Sequence, residues 1–327
     1  MYLKPKKLLY CAIIFIVLSV GYIIVSCDNT DGADDFDETA TEIPEEVEQY
    51  DKLIESGVVY KTAMDTYDMA DLKLDIYYPT NRIYKKNPAI VAFHGGSWIV
   101  GDRSDIIFAL NPLYERLRAN GYAIITVQYR FVSDEIYFPS NLEDCIDAIL
   151  YLAENTDKYD IDPNAIGVMG FSAGAHLAMM CAYAMEEFSA GGDFIDLNYC
   201  LSFAGPTKLY DDEANSYPRS ILYVLDALFN GSYEEKPELY KSGSPYYHMD
   251  GKVKTPLLIV QGDRDDVVPY RQSTLMIERA KESGIECEFL TLENVGHMIN
   301  FYNSMDSAAT DKAMSSIEQF VYKYTRK

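Results

Sequence analysis

The sequence predicts an α/β domain, a mostly parallel central sheet with helices on both faces and a small lid insertion. Three observations predict it. Apolar runs of strand length alternate with helical patterns along residues 52–327. That stretch has 276 residues, large but ordinary for one α/β domain. The run 165–169 passes through Gly170-Phe171-Ser172-Ala173-Gly174 straight into the helical stretch 176–182. Strand, sharp turn and helix in that order give weight to a short motif that is common by chance.

The N-terminal segments stand outside this domain. Lys4, Lys6 and Lys7 precede an uncharged apolar run, 8–26, which Ile24-Val25-Ser26-Cys27 closes. This is an export pattern. The closing tetrapeptide is similar to a lipobox, the cleavage site of bacterial lipoproteins, and makes Cys27 the expected lipidated residue. A single membrane-spanning anchor is the alternative, because 19 apolar residues just suffice to span. Either way the body is expected outside the cytoplasm, in the periplasm or at the cell surface. Residues 28–51 hold eleven acids and no lysine or arginine. Such a tract has too little apolar surface to fold and is expected to be a disordered tether. It is also similar to the acidic signals of surface-exported lipoproteins in some Gram-negative bacteria.

The net charge of the chain is −23, and −15 of it remains on residues 52–327. A body so acidic, with no basic cluster, argues against nucleic acid or anionic membrane as a partner. Membrane contact is expected only through the N-terminal anchor.

Within the body, 89–93 reads as a buried strand. His94-Gly95-Gly96-Ser97-Trp98 follows it. Helices are expected over 111–120 and 139–156. The elbow after strand 165–169 presents Ser172 as a nucleophile and leaves the N–H of Ala173 at the head of a helix over 172–188. Residues 205–251 hold seven tyrosines and Phe229, broken by prolines and charges. They are expected to form a lid over the site; an ordinary surface excursion is the alternative. A strand at 256–261, a helix at 270–283, a strand at 287–292 and a helix at 304–324 complete the pattern.

A nucleophilic serine needs a base and an acid, expected in the chain order Ser, acid, His. The chain has four histidines. His297 lies in a loop just after a strand, where a general base belongs. His248 precedes the expected acid, His176 falls one helical turn past Ser172, and His94 belongs to the glycine motif. Three aspartates follow the strand at 256–261: Asp263, Asp265 and Asp266. Asp265 sits at the tip of the loop and is the expected acid, with Asp266 the reserve and Asp263 a turn former. Its role would be to orient the imidazole and stabilise the imidazolium. Gly95 and Gly96 let backbone approach a substrate oxygen, and their N–H groups with that of Ala173 make a candidate oxyanion hole.

These motifs resemble the α/β-hydrolase superfamily. More narrowly they are similar to bacterial esterases and lipases with an HGG(G)W oxyanion loop, among them carbohydrate acetyl esterases, feruloyl-esterase-like proteins and carboxylesterases. The resemblance covers about 58–325 and includes Tyr129-Arg130, Phe138-Pro139, Asp162-Pro163 and Gly296-His297. It implies Ser172 as nucleophile, Asp265 as acid and His297 as base. Ser97 stands where the third glycine of HGGG usually falls, which leaves that donor in question.

The expected function is therefore an extracytoplasmic serine esterase. It would cleave acyl esters through an acyl-enzyme, with short-chain or acetyl groups on carbohydrate or similar small substrates. No cofactor and no metal is expected, since no ligand spacing is present. A catalytically inactive binding protein is one alternative, but such proteins usually lose the serine or the histidine. A small serine exopeptidase is the other. Cys145, Cys181, Cys200 and Cys287 lie in apolar contexts typical of buried thiols, in a compartment that would also permit disulfides.

Overall fold

The computed structural model describes residues 53–66, 68–210, 217–301 and 305–325. All of them belong to the unit Gln49–Lys327. Cys27, the export segment and the acidic tract lie outside the described residues, as do 211–216 of the expected lid and residue 304 of the last expected helix.

The strands are β1 (Ile54–Met64), β2 (Met69–Tyr77), β3 (Asn87–Phe93), β4 (Ala123–Val127), β5 (Ile161–Phe171), β6 (Cys200–Phe203), β7 (Leu257–Gly262) and β8 (Cys287–Leu292). They form one sheet in the order β1-β2-β4-β3-β5-β6-β7-β8. β2 is antiparallel to both of its neighbours, and every pairing from β4 to β8 is parallel. β3, β4, β6 and β7 are buried along their whole length. That is why they read as short unbroken apolar runs rather than as alternations.

The helices are α1 (Asp105–Ala119), α2 (Ser140–Glu154), α3 (Ala173–Phe188), α4 (Arg219–Leu228), α5 (Pro237–Ser242), α6 (Pro245–His248), α7 (Arg271–Ser283) and α8 (Ser307–Thr325). Strand side chains alternate between faces, so each strand feeds two cores. On one face Ile90, Ala92, Met169, Phe171, Leu201, Phe203, Leu258 and Val260 pack with Leu113 and Leu117 of α1 and with Ile317, Phe320 and Val321 of α8. On the other face α3 lies over β3, β5 and β6 and against α2. Residues 173–185 of α3 are all buried, so its sequence carries no polar stripe.

Two departures from the sequence expectation have simple causes. α1 starts at Asp105 rather than 111 and breaks at Leu110, φ −119°. Pro112 cannot donate to the carbonyl four residues back and clashes with it, so the pattern visible in the sequence is only the second half of the helix. Three short helices, α4 to α6, occupy the expected lid. Two of them begin at proline and are too short to show a periodicity.

Among the described residues the cysteines are free thiols. Cys145, Cys181 and Cys200 are buried and Cys287 is partly so.

Candidate active site

Parallel strands bring their C-terminal ends to one edge of the sheet, and ligands of open α/β sheets bind there. β3 ends at Phe93 and leads into His94. β5 ends at Phe171 and leads into Ser172. β7 and β8 lead into the loops of Asp265 and His297. The four expected pieces are thus delivered to one edge by topology alone. Backbone contacts lock the loops together. Ser172 N–H donates to Phe203 O at 2.8 Å, and Arg264 N–H to Val295 O at 3.0 Å. Asn294 N–H donates to the Asp263 carboxylate at 2.7 Å. Asp263 therefore joins the acid loop to the base loop and does not face the imidazole.

Ser172, His297 and Asp265 are brought together. A carboxylate can only accept, so His297 Nδ1–H is the donor to Asp265, 2.9 Å from Oδ2 and 3.0 Å from Oδ1. In the neutral ring Nε2 is then an acceptor, and Ser172 Oγ lies 2.9 Å from it. The Asp265 side chain is fully buried and that of His297 is 10% exposed. Burial pushes the Asp265 carboxyl upward. The hydrogen bond and charge of His297 and the backbone N–H groups of Val268 and Val267 outweigh it, and the group is held below the usual carboxylate range. Those N–H groups donate to Oδ1 at 2.9 and 3.0 Å. Asp266 is exposed.

Gln261 is a positioning residue not singled out in the sequence. It is fully buried at the end of β7. Its amide N–H donates to Asp265 Oδ2 at 3.1 Å and to Val268 O at 2.7 Å. A polar residue closing the run Leu257-Leu258-Ile259-Val260 was the available signal, because a buried amide needs partners.

The elbow is tight. Ser172 has φ 53° and ψ −117°, a conformation that L residues avoid. A side-chain carbon on Gly170 would fall 2.1 Å from Gly174 O, and one on Gly174 would fall 2.0 Å from Phe93 O. Glycine at both places lets β5, α3 and β3 meet. Ala173 then heads α3, where its N–H has no partner within the helix.

Gly95 borders Ser172: a side-chain carbon there would lie 3.5 Å from Ser172 Cβ. Its loop is held from behind. Tyr129 Oη–H donates to His94 O at 2.8 Å, which fixes the His94–Gly95 peptide plane and so the Gly95 N–H on its opposite edge. His94 Nδ1–H donates to Gly95 O at 2.6 Å and fixes the Gly96 N–H in the same way. Gly96, at φ +117°, accepts from Ile99 and Val100 N–H through its carbonyl, which fixes the Ser97 N–H. The question raised by Ser97 concerns a side chain; its backbone N–H is held like the other two. The His94 ring stacks on Tyr129 at 4.4 Å, and burial lowers its basicity, so it is neutral.

The expected lid leaves β6 at the same edge. Thr207 is tied to Gln272 of α7, and His176 Nε2–H donates to Gly243 O at 2.8 Å.

The model of the BD-FAE family matches residues 74–279, more than half of the chain. The chain belongs to the BD-FAE family. The match runs from β2 into α7 and contains Ser172, Asp265 and the glycine loop; His297 lies beyond it. Among curated proteins the chain is similar to esterase LipC of Mycobacterium tuberculosis, 27% identical over 76% of this chain and 61% of the relative. Esterase LipQ of the same organism is 23% identical over 73% and 56%. The chain thus spans about three fifths of the length of these relatives. Among solved structures, a truncated carbohydrate esterase from gut microbiota superposes with a TM-score of 0.68 at 21% identity, over 84% of this chain and 97% of the other. Esterase 2 of Thermogutta terrifontis with butyrate bound superposes at 0.64 and 25% identity, over 83% and 94%. The BD-FAE chain has the α/β-hydrolase fold.

Proposed function

We propose that the protein is a carboxylic ester hydrolase working through Ser172, His297 and Asp265. One observation carries this reading: His297 bridges the Ser172 hydroxyl and a buried, ionised carboxylate with one nitrogen each. Ser172 Oγ attacks the acyl carbon while its proton passes to His297 Nε2. The carbonyl oxygen becomes an oxyanion and accepts from the N–H groups of Ala173, Gly95 and Gly96. Loss of one such donor typically costs about 3 kcal/mol of barrier. The intermediate collapses, the C–O bond breaks, and Nε2–H protonates the departing alkoxide. Water then attacks the acyl-enzyme, gives a proton to Nε2, and the second collapse returns that proton to Ser172 and frees the acid. Asp265 stays ionised and stabilises the imidazolium.

The substrates are esters with short acyl groups, acetyl foremost, on carbohydrate or similar small alcohols. The fold match to a carbohydrate esterase and to an esterase with butyrate bound supports this class. Residues 205–251 act as a lid. Their departure from the edge that carries Ser172, and their bond to His176 of α3, support that role. The enzyme is a lipoprotein held by Cys27, with the acidic tract as tether, in the periplasm or at the cell surface; the export pattern and lipobox-like tetrapeptide support this.

The test is covalent labelling with a fluorophosphonate beside a p-nitrophenyl ester panel of varied chain length, acetylated xylan and feruloyl esters. The wild-type protein should label and should cleave the short esters fastest. Ser172→Ala should do neither, and a Ser172→Ala protein that still labels would refute the assignment.

A further inference from the structure

His176 lies one helical turn beyond Ser172, wholly buried, and the chemistry above gives it no task. Both of its ring nitrogens are nevertheless engaged. The indole N–H of Trp98 can only donate, and it lies 3.2 Å from His176 Nδ1. The Gly243 carbonyl can only accept, and it lies 2.8 Å from Nε2. Only the neutral Nε2–H tautomer satisfies both. The two rings meet edge-on at 5.2 Å and 85°. Trp98 belongs to the glycine loop, and both Ser97 and Trp98 hold positive φ, 54° and 60°. Backbone of that kind persists only where its surroundings over-determine it. Trp98 O also accepts from Val132 N–H at 2.9 Å, so the residue is gripped by its backbone and by its ring.

We propose that His176 is a positioning residue for the oxyanion loop. It clamps Trp98 to the helix that the nucleophile heads, and segment 205–251 sets its tautomer through Gly243. The clamp fixes the separation between Ala173 N–H on α3 and the N–H groups of Gly95 and Gly96 on the loop. It rests on the hydrolase reading above. If it is released, substrate should bind as before, while the transition-state oxyanion meets misplaced donors.

Trp98 is the single tryptophan of the chain, so its emission reports the clamp directly. The variants are Trp98→Phe, His176→Leu, both together, and His176→Asn. The asparagine amide oxygen can replace Nδ1 as acceptor. Rates on p-nitrophenyl acetate are taken per site titrated with fluorophosphonate, so that misfolded protein does not count. Trp98→Phe and His176→Leu should each lower kcat about tenfold, the worth of one hydrogen bond, with KM within about twofold. The double variant should be no slower than the slower single, and His176→Asn should regain most of the rate. Emission should move to shorter wavelength in His176→Leu and stay in place in His176→Asn. The clamp is overturned if the single losses multiply, if asparagine is as slow as leucine, or if the emission of His176→Leu does not move. A wild-type protein that labels with no fluorophosphonate and cleaves no ester would instead overturn the hydrolase reading, and the emission would still judge the clamp.

Discussion

Ser172 is held at a backbone conformation that only glycine adopts freely, a cost of about 1–3 kcal/mol that the elbow imposes. Ser172→Gly should therefore be more stable than Ser172→Ala by about 1 kcal/mol, read as a Tm higher by roughly 2–4 °C, although both should be inactive. Equal melting points would mean that the elbow is not strained. The aspartates separate in the same way. Asp265→Asn should cost about 10⁴-fold in kcat through the wrong imidazole tautomer. Asp266→Asn should cost little, and Asp263→Asn only what loosening the contact with Asn294 brings; a larger loss at Asp266 would mean a misassigned acid. The depressed carboxyl of Asp265 also makes stability depend on pH. A carboxyl lowered in the folded state stabilises it above the unfolded value, near 3.9, and that stabilisation is lost as pH falls through the lower folded value. Denaturant midpoints measured from neutral pH into this acid range should fall less steeply for Asp265→Asn than for the wild type. Ser172 and His297 were legible because a motif and the scarcity of histidine single them out, and Asp265 because of its place at the loop tip. The bonds of His94 to Tyr129 and of His176 to Gly243 were not, since hydrogen bonds across 35 and 67 residues leave no local pattern.

The elements differ in how openly the chain announces them. β8 falls where its apolar run predicts, at 287–292, and α2, α3 and α7 end within two residues of expectation. β4 and β6 were missed because five or four buried residues carry no period. β1 was missed because its pairing with β2 is interrupted by register shifts and its burial does not alternate cleanly. The packing of β3, β5 and α3 gives a sharp test. Gly174→Ala drives a methyl into the Phe93 carbonyl, and that backbone cannot retreat without disturbing β3, a fully buried strand. The loss should exceed about 3 kcal/mol, a fall in Tm of at least several degrees by calorimetry. A variant that melts within about 2 °C of wild type would show that α3 can slide on the sheet.

At the scale of the whole molecule, the proposed lipid on Cys27 and the acidic tract after it would decide where the body can reach. If Cys27 carries lipid and residues 28–51 serve as the proposed tether, a chain of that length would reach roughly 25–30 Å if coil-like, and further if its charges repel. Polymeric substrate beyond the membrane surface then comes within range. Mass spectrometry of the native protein should find the chain beginning at a diacylglyceryl Cys27, and Cys27→Ala should retain residues 1–26. A membrane-spanning anchor would be indifferent to that substitution, because one thiol at the end of a span barely changes its transfer energy. An intact N-terminus in the native protein would defeat the lipoprotein reading.

The unpaired thiols turn the body into its own clock. Burial raises Cys145, Cys181 and Cys200 far above the ordinary thiol range and Cys287 to about 12, so almost no thiolate exists while the chain is closed. Since alkylating agents attack the thiolate, each modification of the three buried residues should record one opening of the structure. Brief pulses of iodoacetamide, read by mass, would therefore time how often the sheet comes apart at a given temperature. Cys287, on the sheet's last strand, should take the reagent first, and the other three should follow together.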